Sequence, residues 1–243
     1  MFGHAILMSL TLAVSSFANA GTIPSNATSA GNLDGSSQWQ WSHDRGTPGS
    51  SVGSSSYAIS NPSLDKAARE LYVAYSHHGG ERYHLSFGHD ESATHFVYDT
   101  QIFIADPSQL ANLEMDMNQV MANGRTVILG TQCSSYSGTW EFVKVSGGPH
   151  WNRSNIPCNP KAFKANTWHH IQIASHRDQS GNAYYDWVNV DGKQSYFNGA
   201  HGPASMALGW QRGDLLLNMQ LDGASGNSGS IRMYLDKLTV YRW

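Results

Sequence analysis

Charge is scarce in this sequence. Only 14% of its 243 residues are Asp, Glu, Lys or Arg, and the formal net charge is -3. That balance argues against nucleic acid as a partner, because such proteins carry a clustered basic surface. Long apolar runs are absent beyond the first twenty residues, so no stretch there is suited to span a bilayer. Cysteine is nearly absent, with Cys133 and Cys158 the only two. They form no C-x-x-C pair, which excludes a thiol redox centre and a cysteine zinc site. Helical periodicity is missing too: only 64–69 and 107–111 read as single helical turns, and no repeat of fixed period is present.

What is present points to β structure. There are 24 Gly, 11 Tyr and 8 Trp, and short alternating segments are separated by Gly, Asn and Ser turns. Residues 5–17 form a short apolar run followed by Ala18-Asn19-Ala20, the small-x-small pattern after which signal peptidases cut. Residues 1–20 therefore read as a secretion signal, although no Lys or Arg precedes the apolar core. In an exported chain an even cysteine count reads as one disulfide, Cys133 to Cys158, closing a loop that carries Trp140, His150 and Trp151. Residues 21–37 are small and polar and read as a flexible lead-in. One domain is expected over 38–243, and a monomer.

Strands are expected at 71–76 and 82–87, with His77-His78-Gly79-Gly80 as a hairpin turn between them. Asn123-Gly124 marks a second hairpin, joining 113–120 to 125–133. Asp191-Gly192 marks a tight turn into 193–197. Strands at 139–145, 213–221 and 230–241 complete an antiparallel two-sheet β-sandwich.

The most informative stretch is Leu113-Glu114-Met115-Asp116-Met117-Asn118-Gln119-Val120. Side chains alternate across a strand, so Leu113, Met115 and Met117 share one face and Glu114, Asp116 and Asn118 the other. A polar face built from carboxylates and an amide suits a site better than a merely solvated surface. The stretch from 214 to 222 repeats the design, with an apolar row at Leu215, Leu217, Met219 and Leu221 and a polar row at Asn218, Gln220 and Asp222.

The C-terminal half, with Asn166, Trp168, His169 and His170 opening a strand, Val190-Asp191-Gly192, and the run from Tyr234 to Tyr241, resembles the laminin-G-like members of the concanavalin A-like lectin and glucanase superfamily. The resemblance implies a jelly roll with sugar lying across its concave sheet. Glu114-Met115-Asp116-Met117 is similar to the Glu-x-Asp of the retaining glucanases in that superfamily, which implies Glu114 as nucleophile and Asp116 as its assistant. Those enzymes place an acid/base Glu two or three residues after the Asp. Here Asn118 and Gln119 stand at those positions, and neither amide can donate and recover a proton.

A glycosidase needs a second carboxyl group. Asp222 and Glu141 are the candidates for it, with Glu114 as nucleophile or base. Asn118, Gln119, Gln132, Asn218 and Gln220 are candidates for positioning sugar hydroxyls. Trp140 and Trp151 are candidate stacking platforms, and Trp39, Trp41 and Trp210 are either platforms or core. The histidines at 77, 78, 84, 89 and 95 read as surface turns rather than a metal site. No cofactor is required; a structural calcium would be held by turn oxygens around Asp222 or Asp236. The expected partner is a polysaccharide or oligosaccharide, bound and cleaved by a secreted glycoside hydrolase. The alternatives are a glycan-binding lectin with the same residues and no turnover, and a polysaccharide lyase.

Overall fold

The structure is a computed structural model that describes residues 22–224, 226 and 228–243. The expected secretion signal at 1–20 lies outside the described residues. The strands begin with β1 (Thr28–Ala30), β2 (Gln40–His43), β3 (Ser50–Ile59), β4 (Ala68–Ser76), β5 (Gly80–His89) and β6 (His95–Ile104). They continue with β7 (Leu110–Val120), β8 (Thr126–Ser134), β9 (Thr139–Val145), β10 (Pro149–Pro157), β11 (Trp168–Arg177) and β12 (Asn182–Val190). The last are β13 (Lys193–Tyr196), β14 (His201–Pro203), β15 (Ser205–Met206), β16 (Asp214–Gly223) and β17 (Ser228–Arg242). Three single 3-10 turns, at Leu33–Gly35, Pro107–Gln109 and Pro160–Ala162, are the only helical elements among the described residues.

The strands form two antiparallel sheets. One runs β13-β12-β11-β6-β17-β4-β3, with β1 on β17 and β14 on β12; the other runs β10-β9-β8-β7-β16-β5-β2, with β15 on β8. This is the antiparallel two-sheet sandwich expected from the sequence. Its core lies between the sheets, where Leu113, Met115, Met117, Leu215, Leu217, Met219 and Leu221 meet Tyr98, Ile102, Ile171, Ile173, Leu235 and Val240. Burying side chains of this size contributes roughly 1.5–3 kcal/mol each; the period-two pattern puts them on one face of their strands, and on β17 a register shift between Asp236 and Thr239 returns Val240 to the face of Leu235.

The hairpins at 123–124 and 191–192 form as expected, joining β7 to β8 and β12 to β13. Asp191 and Gly192 take φ of 53° and 82°, the left-handed pair that a two-residue turn between twisted strands requires. The segment 77–79 is different. It joins β4 in one sheet to β5 in the other, so it is a corner between the sheets and not a hairpin. Local turn chemistry reads the same in both cases, and only the partner strands distinguish them. Gly79 is needed there, because a Cβ at this position would sit 1.9 Å from the Ser50 carbonyl oxygen.

The expected flexible lead-in is corrected more strongly. Thr28 to Ala30 pair with Arg242 to Val240 of β17, and Leu33 and Asp34 are buried. Asp34 accepts a hydrogen bond from the Leu238 backbone N–H at 2.9 Å. Arg69 donates to the carbonyls of Asp34 and Ser36, and the Trp39 indole donates to the Leu33 carbonyl at 2.8 Å. A stretch poor in apolar residues is ordered here because its backbone supplies acceptors to a buried arginine and tryptophan.

Cys133 and Cys158 are joined, with Cα atoms 5.3 Å apart. The bridge ties the end of β8 to the chain just past β10 and so closes the β9–β10 hairpin against the sheet.

Candidate functional site

The outer face of the second sheet carries the site. Its central strands, β7 and β16, are paired so that Glu114 lies opposite Gln220, Asp116 opposite Asn218 and Asn112 opposite Asp222. On β8, Gln132 lies opposite Glu114 and Gly130 opposite Asp116. Extending the pairing across β9 and β5 gives one cross-strand row: Glu141, Gln132, Glu114, Gln220 and Arg82. Adjacent strands lie about 4.8 Å apart, so neighbours in such a row are within hydrogen-bonding reach of one another.

The row sits in a groove of about 650 Å³. Its floor includes Asn112, Glu114, Asp116, Asn118, Gln132, Asn218, Gln220 and Asp222, and its sides draw on Asp44, His78, Trp151 and Trp210. A second lobe of about 410 Å³ contains Gln38, Gln40, His84, Ser86 and Asp214. The lobes share Arg82, Asn118, Trp210 and Asn218, so they form one continuous channel. Trp151 on β10 and Trp210 on the segment before β16 are 38% and 36% exposed, which leaves ring surface open to the channel.

The Glu114 and Asp116 carboxyls are neighbours on the outer face of β7, and their interaction raises the proton affinity of Glu114 and lowers that of Asp116. The Asn218 amide clamps both, donating to Glu114 Oε1 and to Asp116 Oδ2 at 3.1 Å each. Burial, then the negative charge of Asp116 and the shared hydrogen bond, then Asp222 and Asp44, hold the Glu114 carboxyl well above the usual range. Burial pushes Asp116 up to about 6 against the hydrogen bonds from Glu114 and Asn218 and the positive charge of Arg82. Asp222 is also raised by burial, opposed by Asn112 donating at 3.1 Å and Gln220 donating at 3.0 Å. Gln220 donates as well to Asp44 at 3.2 Å.

The expected site residues Glu114, Asp116, Asp222, Asn118, Gln132, Asn218, Gln220 and Trp151 are all brought together in this channel. Three others are placed differently. Gln119 continues the odd-numbered row of β7 and points into the core, where it donates to the carbonyls of Asp90 and Ala93 and accepts from Arg177. Trp140 is 1% exposed and lies on the inner face with Phe142, opposite Cys133. Glu141 does reach the outer face, where it is buried and accepts a hydrogen bond from Gln132 of the channel floor. For Gln119 and Trp140 side-chain parity decides, and the strand partners set it.

Asp44, His78, Arg82, His84 and Trp210 complete the lining. Arg82, His84 and Ser86 alternate with the apolar Tyr83, Leu85 and Phe87 along β5, the same pattern that distinguishes 113–120, so the sequence did carry a signal for them. Asp44 and His78 stand at the loop after β2 and at the corner between the sheets, where no periodicity applies. His78 donates to the Gly223 carbonyl at 2.7 Å.

Asp222 accepts from the amides of Asn112 and Gln220, and Asp236 Oδ2 accepts from the Ser63 hydroxyl and the Leu64 N–H. Among the described residues no group of three or more His, Cys, Asp or Glu side chains is arranged to hold a metal ion.

No protein-family model matches this sequence, and no curated protein matches it. Solved structures similar to it include a carbohydrate-binding module of the β-sandwich superfamily with promiscuous specificity, at TM-score 0.46 and 10% identity over 85% of this chain and 58% of that one. The family 11 carbohydrate-binding module from Clostridium thermocellum, in complex with a β-1,3-1,4-mixed-linked tetrasaccharide, is similar at TM-score 0.40 and 12% identity, over 88% and 94%. A Bacillus licheniformis β-glucanase is similar at TM-score 0.42 and 10% identity, over 89% and 97%. The chain spans little more than half the length of the first of these. Likenesses this distant carry no inference about chemistry, which rests on the residues of the channel.

Proposed function

We propose that this protein is exported and binds a polysaccharide along the channel of its second sheet, with a neutral sugar residue over Glu114 and Asp116. The observation that carries this reading is the pairing of two open tryptophan rings with a floor made of carboxyls and amides. Aromatic faces take the apolar side of a pyranose ring, while carboxylates and amides exchange hydrogen bonds with its hydroxyls. The sheet is seven strands wide along its main path, about 29 Å at roughly 4.8 Å per spacing, which suits a chain of several sugars. The disulfide fits an oxidising compartment, and no helix of the described residues is long and apolar enough to cross a membrane.

A second reading, hydrolysis of the bound chain, is favoured by the buried Glu114 carboxyl beside Asp116, whose proton affinity burial and that neighbour raise well above the usual range. A protonated carboxyl in a sugar-binding channel can protonate a glycosidic oxygen. That makes Glu114 the acid of the resting site and shifts the search for a base or nucleophile to Asp44 or Asp222. Glu141, hydrogen-bonded to Gln132 of the channel floor, stays a candidate beside them. The lyase reading is weaker, because a uronate over three floor carboxyls would meet like charge.

Retention of the mature protein on β-glucan, xylan, pectin and alginate gels, with reducing ends and unsaturated products measured in parallel, tests both. Retention by at least one polymer is expected, and Trp151→Ala is expected to weaken it about tenfold or more, from lost stacking. Absence of retention on every polymer overturns the binding reading. Retention with new reducing ends that Glu114→Gln abolishes establishes hydrolysis; retention without products leaves a lectin.

A further inference from the structure

Four arginines are not exposed: Arg69, Arg82, Arg177 and Arg242. Three are engaged, Arg69 with main-chain carbonyls and Ser55, Arg177 with Gln119 and the carbonyls of Glu91 and Ala93, and Arg242 with Asp90 at 2.8 Å. Arg82 differs from them. It is half-buried on β5, opposite Gln220, and its guanidinium makes no hydrogen bond or ion pair among the described residues. A half-buried guanidinium has five donors to satisfy, and in this channel they face the space that both lobes share.

The larger lobe gathers the carboxyls of Asp44, Glu114, Asp116 and Asp222. Arg82, Asn118 and Trp210 border both lobes, and the smaller one adds His84 and the amides of Gln38 and Gln40. Its one carboxylate, Asp214, is already paired with His89 at 3.0 Å. Burial and the neighbouring Arg82 charge lower the proton affinity of His84.

We infer that Arg82 is a specificity-determining residue that receives the carboxylate of a uronic acid in the smaller lobe, next to the neutral sugar over Glu114 and Asp116. This rests on the polysaccharide-binding reading and narrows it to acidic heteroglycans. The planar guanidinium matches a carboxylate in a bidentate pair, and the Trp210 ring lies beside it to stack the sugar that carries the group. Sulfate esters share the anionic chemistry and are separated by the test.

Glucuronoxylan, pectin and alginate, each beside its carboxyl-reduced form, and a sulfated xylan would be measured for binding to wild type, Arg82→Gln and Arg82→Lys. At least one acidic polymer should bind about tenfold or more tightly than its reduced form. Arg82→Gln should erase that difference while keeping the reduced form bound, and Arg82→Lys should keep part of it, because the point charge remains and the fork is lost. Equal binding of acidic and reduced forms, tighter binding of the sulfated xylan alone, or an Arg82→Gln loss shared by all polymers would overturn the inference and leave the groove reading standing. Failure of every polymer in both forms refutes the groove reading itself.

Discussion

Asp116 shows what the channel costs the fold at the scale of one residue. Its carboxyl is buried on the outer face of β7, its Oδ2 bound by Asn218, and its affinity for a proton is pushed up to about 6 from an ordinary 3.8. The folded chain therefore holds more protons on this group than the unfolded chain between those values. The stability this group contributes is fully present below about pH 4 and is lost as pH rises through 6, on the order of 2–3 kcal/mol. Asp116→Asn keeps an acceptor for Asn218 and removes the charge. It should unfold at higher denaturant concentration than wild type at pH 8, with the gap closing towards pH 4, in urea titrations at several pH values. A gap independent of pH would mean that Asp116 is not the strained group.

At the scale of elements, the site depends on how β8 and β10 approach β7. Gly130 on β8 faces Asp116, and a Cβ there would lie 2.7 Å from Val143 Cγ2 and 2.9 Å from Asp116 Oδ1. Gly130→Ala must move the valine or the carboxyl, and overpacking of this kind costs about 1–3 kcal/mol. It should also weaken polysaccharide retention, since Asp116 can only retreat into the space beside Glu114. Thermal unfolding and gel retention of the same variant check the two effects. The disulfide acts on the edge strand: it holds the β9–β10 hairpin, and β10 carries Trp151. The double variant Cys133→Ala, Cys158→Ala should lose about 2–4 kcal/mol of stability and bind more weakly at temperatures where it is still folded. Unchanged binding would show that β10 keeps its place by strand pairing alone.

At the scale of the whole molecule, the N-terminal segment belongs to the sandwich. Residues 28–36 cover the end of β17 with a short strand, bury Leu33 and give Arg69 its main-chain acceptors. A chain beginning at Gln38 would leave the buried Arg69 guanidinium with Ser55 as its one remaining hydrogen-bond acceptor and the Leu238 N–H without Asp34, and removing the partners of a buried charge costs about 3–5 kcal/mol. Its unfolding midpoint should fall sharply against the chain beginning at Gly21; equal midpoints would refute the structural role given to this segment.

The amino-acid pattern by itself determined most of the strands, though not β1, β3, β10 or the short β14 and β15, and with them the inner and outer faces of β7 and β16, the disulfide and two hairpins, because each depends on neighbours in the chain: period two, left-handed turn residues, or an even cysteine count. It also carried the acidic face of the site, since Glu114, Asp116, Asn218, Gln220 and Asp222 stand on strands whose oily rows fix their direction. The tertiary structure alone decided which carboxyls meet. Pairing of β7 with β16 set Asn218 between Glu114 and Asp116, pairing of β8 with β9 set Glu141 against Gln132, and the two-sheet split turned 77–79 into a corner that brings His78 to the site. The positions of Arg82 and Trp210 within one channel belong to the same class, for strand order and register are properties of partners distant in sequence, and the interaction between buried acids follows only from the distances those partners impose.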